Sequence, residues 1–181
     1  MRIRLALCAP LLALGLFPSI ADAALSASSG SASFEATGPA GLRIEGKTTE
    51  VAVSEANGTV HVAVTLEHMD TGITLRNRHM REKYLETAKY PTADLVVPRT
   101  ALTFPEEGKT FSGSAAGTLT IHGTSKPVTF TYRAQRNKSA YDVDGSVSID
   151  MHDYGIQVPS YLGITVKPGI DVHVKFVAND T

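Results

Sequence analysis

Phe111-Ser-Gly-Ser-Ala-Ala-Gly-Thr-Leu-Thr-Ile-His122-Gly-Thr-Ser-Lys-Pro-Val-Thr-Phe-Thr-Tyr-Arg133 decides the fold. Phe111, Gly113, Ala115, Gly117, Leu119 and Ile121 fall on one face, and the serines and threonines between them on the other. After the polar stretch His122–Pro127 the same period returns, with Val128, Phe130 and Tyr132 alternating with Thr129, Thr131 and Arg133. A period of two with one apolar and one wet face marks antiparallel sheet. The turn between the runs predicts a hairpin.

The pattern extends in both directions. Upstream, Val60, Val62, Val64 and Leu66 alternate with His61, Ala63, Thr65 and Glu67. Downstream, Tyr141, Val143, Gly145, Val147 and Ile149 alternate with polar residues, as do Ile170, Val172, Val174 and Phe176. Short polar turns, Glu55–Gly58, Glu106–Lys109 and Asn137–Ser139, separate the runs. Seven to nine strands in meander order leave a sandwich or a closed barrel. The glycines at 113, 117 and 145 lie on apolar faces, where they serve as bulges or let a barrel curve and leave room inside it.

One segment departs from this period. Leu75–Lys89 reads as a helix, with Met80, Tyr84 and Ala88 at i, i+4 and i+8 and Leu85 beside them. Asp70 or Thr71 is the expected N-terminal cap. Tyr90-Pro91 ends it, because the residue before proline avoids the helical region. Its narrow apolar stripe suits packing by one edge on the rim of a sheet.

The first 23 residues read as a signal peptide. Arg2 and Arg4 are followed by an apolar run centred on Leu11–Phe17, the helix breaker Pro18 and the small-residue site Ala21-Asp22-Ala23. A transmembrane anchor needs about 20 predominantly apolar residues; here Pro10 and Pro18 interrupt the run and a cleavage site ends it. Cleavage after Ala23 leaves one domain, 24–181, exported to the periplasm, with no transmembrane anchor. Cys8, the only cysteine, leaves with the leader, so no disulfide or thiolate chemistry remains. With 17 basic and 18 acidic side chains in all, losing Arg2, Arg4 and Asp22 leaves the rest two charges negative. That balance argues against nucleic-acid binding, which needs a basic footprint.

The six histidines show neither the i, i+4 helical spacing nor the short strand spacing of a zinc site. His61 and His173 fall on wet faces, and His68 continues the inward parity of Val60–Leu66. No nucleophile elbow, His-Glu-x-x-His or phosphate loop is present. No catalytic residue, metal or certain cofactor is expected. Arg76, Arg78 and Arg81 read either as a solvated helix face paired with Glu82 and Glu86 or as a small anion site at a barrel mouth.

Four stretches resemble the YceI family of bacterial proteins, in the family's order. They are Asp70-Thr-Gly-Ile-Thr-Leu-Arg-Asn-Arg-His-Met-Arg-Glu-Lys-Tyr-Leu85, Tyr90-Pro-Thr-Ala93, Gly117-Thr-Leu-Thr-Ile-His-Gly-Thr-Ser-Lys-Pro-Val128 and Asp153-Tyr-Gly-Ile156. The opening strands, Ser33–Thr37 and Gly41–Gly46, depart from the family's pattern, so the chain resembles a divergent member. The resemblance implies an all-β, eight-stranded antiparallel, lipocalin-like barrel. It also implies a polyisoprenoid or isoprenoid quinone bound inside it, in the periplasm.

A cavity for such a molecule needs an apolar lining and one polar end. Ile73, Leu75, Tyr84, Phe111, Leu119, Phe130, Val147, Tyr154, Ile156 and Tyr161 are the candidate lining. Met69, Met80 and Met151 would adapt to an irregular chain near the mouth. Arg76, His79 and Arg81 would meet a phosphate or quinone head. The alternative is a barrel filled by its own side chains, acting as a non-catalytic stress or interaction module. Exposed strand edges could also pair two copies as a homodimer.

Overall fold

The computed structural model describes residues 24–161 and 163–180. The expected leader, 1–23, lies outside the described residues, as does the side chain of Tyr161. Eight antiparallel strands close into one barrel. β1 runs in two pieces, Leu25–Ala27 and Gly30–Thr37, and β2 likewise, Arg43–Thr48 and Val51–Ala56. β3 (Thr59–Thr65), β4 (Thr92–Pro98), β5 (Thr110–Ile121), β6 (Thr124–Asn137), β7 (Ala140–Asp150) and β8 (Gly169–Asp180) follow. Each strand pairs with the next, and β8 returns to both pieces of β1. Closure gives every strand of the barrel a neighbour on both sides, although β4 and β5 pair only at Asp94–Val96. A two-residue ribbon, Ser160–Tyr161 with Ile164–Thr165, precedes β8.

Two hairpins turn on two residues that both have positive φ, Asn57-Gly58 and His122-Gly123. That is the geometry whose twist suits flanking strands. The second turn is shorter than the sequence suggests, because Thr124–Pro127 already belong to β6. Pro127 pairs with Thr118 on β5, whereas β7 joins β6 only from Thr131, so its missing N–H interrupts no ladder. Across the β1–β2 pair, the Phe34 ring lies where a Cβ on Gly46 would stand, 2.3 Å away. Glycine there lets the aromatic ring lie flat on the sheet.

The predicted helix is shorter than Leu75–Lys89. α1 spans Thr74–His79 and continues as one wide turn, Met80–Tyr84, in which the Leu85 N–H reaches the Met80 carbonyl. Glu86 takes a left-handed conformation (φ 46°) that stops it. Ala88 is therefore exposed rather than on an apolar stripe, while Met80, Tyr84 and Leu85 do face the barrel. The cap also differs. Ile73 stands at the N-cap without a side-chain bond, and Asp70 and Thr71 do another job, described below. His68 is exposed, 2.6 Å from Glu50, because β3 ends at Thr65 and a turn closing Met69 onto Leu66 breaks the strand parity.

The chain's reversals fix two ends. The β1–β2 loop, α1, the His122-Gly123 turn and the ribbon lie at one, the mouth. The Asn57-Gly58 turn, the β4–β5 connection and the β6–β7 turn lie at the other, the floor.

Candidate ligand cavity

The alternation that forms the strands also makes the container. Inward residues of all eight strands surround a cavity of about 570 Å³, within the roughly 300–1,000 Å³ usual for small-molecule sites. Val60, Val62 and Val64 of β3, Val143, Val147 and Ile149 of β7, and Val172, Val174 and Phe176 of β8 border it. Gly145 borders it too, with nothing closer than 3.8 Å to where a Cβ would sit. Of the two uses expected for these glycines, Gly145 leaves room. Gly117 instead lets β4 come close, since its Cβ would stand 2.9 Å from the Val96 carbonyl oxygen.

The floor is closed by the β4–β5 connection. Leu102, Thr103 and Phe104 cover it from below. The Thr103 N–H donates to the Tyr132 hydroxyl (2.7 Å), and Phe104 meets Tyr141 edge-on at 5.5 Å. Arg99 pairs with Glu55 and lies over the Phe104 ring. Glu55 also accepts from the Leu25 N–H (3.1 Å), so one buried carboxylate joins β1, β2 and the floor segment.

The mouth is organised by a network the sequence reading missed. Asp70 and Lys47 exchange backbone hydrogen bonds, both 2.8 Å, which pins the start of the α1 segment to β2. Asp70 accepts from the Gly72 N–H (2.8 Å) and the Asn77 amide (2.6 Å). Asn77 accepts from the Thr71 N–H and hydroxyl, and Arg76 donates to the Thr71 hydroxyl (2.8 Å) and carbonyl (2.5 Å). The N–H donors from Gly72 and Asn77 hold the Asp70 carboxyl below the usual carboxylate range. The Asp-x-Gly turn was its sequence signal. The result fixes Arg76 where two spaces meet. Thr71 and Arg76 border the apolar cavity and also a smaller polar recess shared with Glu45, Lys47, Asp70 and Gly72.

Twelve of the sixteen expected site residues border the cavity. Met69, Met80, Met151, Leu119, Phe130, Val147 and Ile156 do so from its walls and rim, and Ile73, Leu75, Arg76, His79 and Tyr84 from the α1 segment. Three do not. Arg81 turns away to the Glu67 carbonyl (3.2 Å). Phe111 shares the inward face but lies over Gly113 and against Tyr132, 5.3 Å between ring centres. Tyr154 is buried behind the wall with Leu119, Ile121 and Val166, on a single turn of 3-10 helix that ends at left-handed Gly155. Its hydroxyl has no partner among the described residues, and burial, together with Asp153, pushes its phenol pKa up. Tyr161, the sixteenth, has its side chain outside the described residues. Among the described residues no three His, Cys, Asp or Glu side chains gather as a metal site.

A family model described as a YceI-like domain matches residues 24–178. The chain belongs to the YceI-like family. Among solved structures, this YceI-like barrel is similar to a polyisoprenoid binding domain from Saccharophagus degradans implicated in plant cell wall breakdown. They are 18% identical with a TM-score of 0.74, over 88% of this chain and 99% of that one. BcnA of Burkholderia cenocepacia is 17% identical, TM-score 0.62, over 82% and 96%. The YCEI protein of Campylobacter jejuni is 16% identical, TM-score 0.52, over 73% and 81%. At these identities the likeness speaks to the fold. No curated protein matches the chain.

Proposed function

We propose that this protein carries a polyisoprenoid or isoprenoid-quinone-like molecule in its barrel, for transport, storage or sequestration in the periplasm after export. The carrying observation is the cavity, an apolar space running from floor to mouth where a packed barrel would have side chains. Burying hydrocarbon there gains about 25 cal/mol per Å², less the cost of ordering a flexible chain. The polar recess suits the other end of an amphiphile. Arg76, held by Thr71 at the junction of the two spaces, would donate to an oxygen-bearing head group, whether phosphate or quinone carbonyl. The name of the Saccharophagus degradans domain supports the same class of tail.

Mass spectrometry of an organic extract of the purified protein tests this. A co-purifying polyprenyl species is the expected result. Its repeated absence, with no uptake of added polyprenol or quinone, would sink the proposal. Gly145→Phe places a ring in the open cavity without meeting backbone. It should fold, by its melting curve, and weaken uptake about tenfold or more, equivalent to about 1.4 kcal/mol.

A further inference from the structure

Among the described residues, five large apolar side chains are exposed: Leu42, Ile73, Leu75, Ile164 and Val177. Val177 stands alone on the outer wall of β8. The other four come from three separate connections: the β1–β2 loop, the α1 segment and the ribbon before β8. The meander brings all three to the mouth, and all four side chains also border the cavity. Their exposures, 39, 52, 43 and 49% in the same order, are far from those of a closed lid. The apolar lining of the barrel thus continues outward as an apolar rim.

The charge around that rim is not even. Although the chain is slightly acidic, the segment Thr74–Lys89 carries Arg76, Arg78, Arg81, Lys83 and Lys89 against only Glu82 and Glu86. Arg78, Lys83 and Lys89 are exposed. Elsewhere at the mouth, Arg43 is paired with Glu35 and Lys47 with Glu45, both at 3.0 Å. Glu67, Asp70 and Asp153 are exposed at the same end, as is Lys167, so the positive surplus is local to the element that presents Ile73 and Leu75. Apolar tips flanked by lysine and arginine are what an interfacial contact with anionic lipid requires.

We propose that the mouth is a docking surface for an anionic lipid bilayer. The rim side chains enter the headgroup region and the basic residues of the α1 segment meet lipid phosphates, so the cavity opens towards acyl chains rather than water. An apolar molecule then exchanges between bilayer and barrel without crossing the aqueous phase. This surface stands on the rim residues and is independent of what fills the cavity.

Co-sedimentation with lipid vesicles tests it. The chain from Ala24 onward, which makes the closed barrel, is mixed with phosphatidylcholine vesicles with or without phosphatidylglycerol. Binding is expected to the anionic vesicles and to fall with salt. Ile73→Asp with Leu75→Asp should weaken it about tenfold or more, and Arg78→Glu with Lys83→Glu about tenfold. Val177→Asp, equally exposed but on the outer wall, should bind as before. All these positions are exposed, so melting curves should stay unchanged. Failure to sediment with either vesicle overturns the proposal, as does equal binding by the rim variant. Equal binding to both vesicle types removes the anionic preference and overturns it in that form. Rim-dependent dimers on a sizing column without vesicle binding would show that a second copy covers the rim instead. Because lipid content of the purified protein is measured separately, vesicle binding can fail while cargo binding holds, and the reverse.

Discussion

The floor and the mouth of this barrel are built from the same strands and solve opposite problems. At the floor, a connection between β4 and β5 is drawn across the barrel by Arg99, Glu55, Tyr132 and the backbone of Thr103, and apolar side chains seal beneath them. At the mouth, the polar groups bond along the rim, from Asp70 through Asn77 and Thr71 to Arg76 and from Glu86 to His122, while apolar side chains of the α1 segment, Met80 and Leu85 among them, border the cavity. Polar groups that cross an opening close it, while polar groups that bond along its edge hold it open in a fixed shape. The difference predicts that stability concentrates below and binding above.

The largest expected effect tests the lower half of that comparison. Glu55→Ala leaves Arg99 and the Leu25 N–H without their shared acceptor in a site where the carboxylate is only 5% exposed. Arg99 is 25% exposed and keeps Asp180 at 4.0 Å, so the loss should be about 2 kcal/mol, chiefly the stranded Leu25 N–H and the weakened pairing of Arg99, read as a lowered denaturation midpoint. The vesicle binding of the folded fraction should not change. A loss near 0.5 kcal/mol, the range of surface pairs, would show that the floor is sealed by packing alone.

How much of this was legible in the sequence follows the same division. The walls were readable, because a closed antiparallel barrel gives each strand one inner and one outer face, and period two reports that directly. Val60–Leu66, Tyr141–Ile149 and Ile170–Phe176 were placed by it. Both ends lie in connections, where no period constrains side-chain direction. Arg81 looked like a partner of Arg76 on one helix surface, but the wide turn at Met80–Tyr84 redirects it to Glu67. Tyr154 looked like lining, yet the single turn that carries it packs it behind the wall. The floor segment, Leu102 and Phe104, was not singled out, although it alternates apolar and polar residues just as a strand does. Residue type alone makes Asp70 or Thr71 a helix cap. The real bonds of Asp70 depend on the meeting of β2 with the helix start, which is non-local.

Two tyrosines give the next contrast. Tyr132, near the floor, accepts from the Thr103 N–H, whereas the Tyr154 hydroxyl, nearer the mouth, is buried without a partner among the described residues. Tyr132→Phe should cost about 1–2 kcal/mol, because it strands a backbone donor. Tyr154→Phe deletes a group that bonds to no described residue, so it should change stability by less than about 0.5 kcal/mol or raise it. Paired denaturant titrations measure both. Equal losses would break the comparison, since they would give the Tyr154 hydroxyl a bound partner of its own.

The smallest effect concerns the rim and acid. The Asp70 carboxyl titrates below its ordinary value in the folded chain, because the Gly72 N–H and the Asn77 amide donate to the ionised form. A depressed carboxylate favours the fold at pH values above the unfolded carboxylate range and loses that contribution as pH falls through its folded value. The start of α1 should therefore stay ordered at neutral pH and loosen only below about pH 4. The group is exposed, so the change should be local. The protection factor of the Gly72 backbone amide, which corrects for the intrinsic pH dependence of exchange, should fall in acid while the β5–β8 amides stay protected. Asp70→Asn should abolish that pH dependence, since an amide oxygen still accepts but no longer titrates. Acid loosening that persists in the variant would show that Asp70 is not the group responsible.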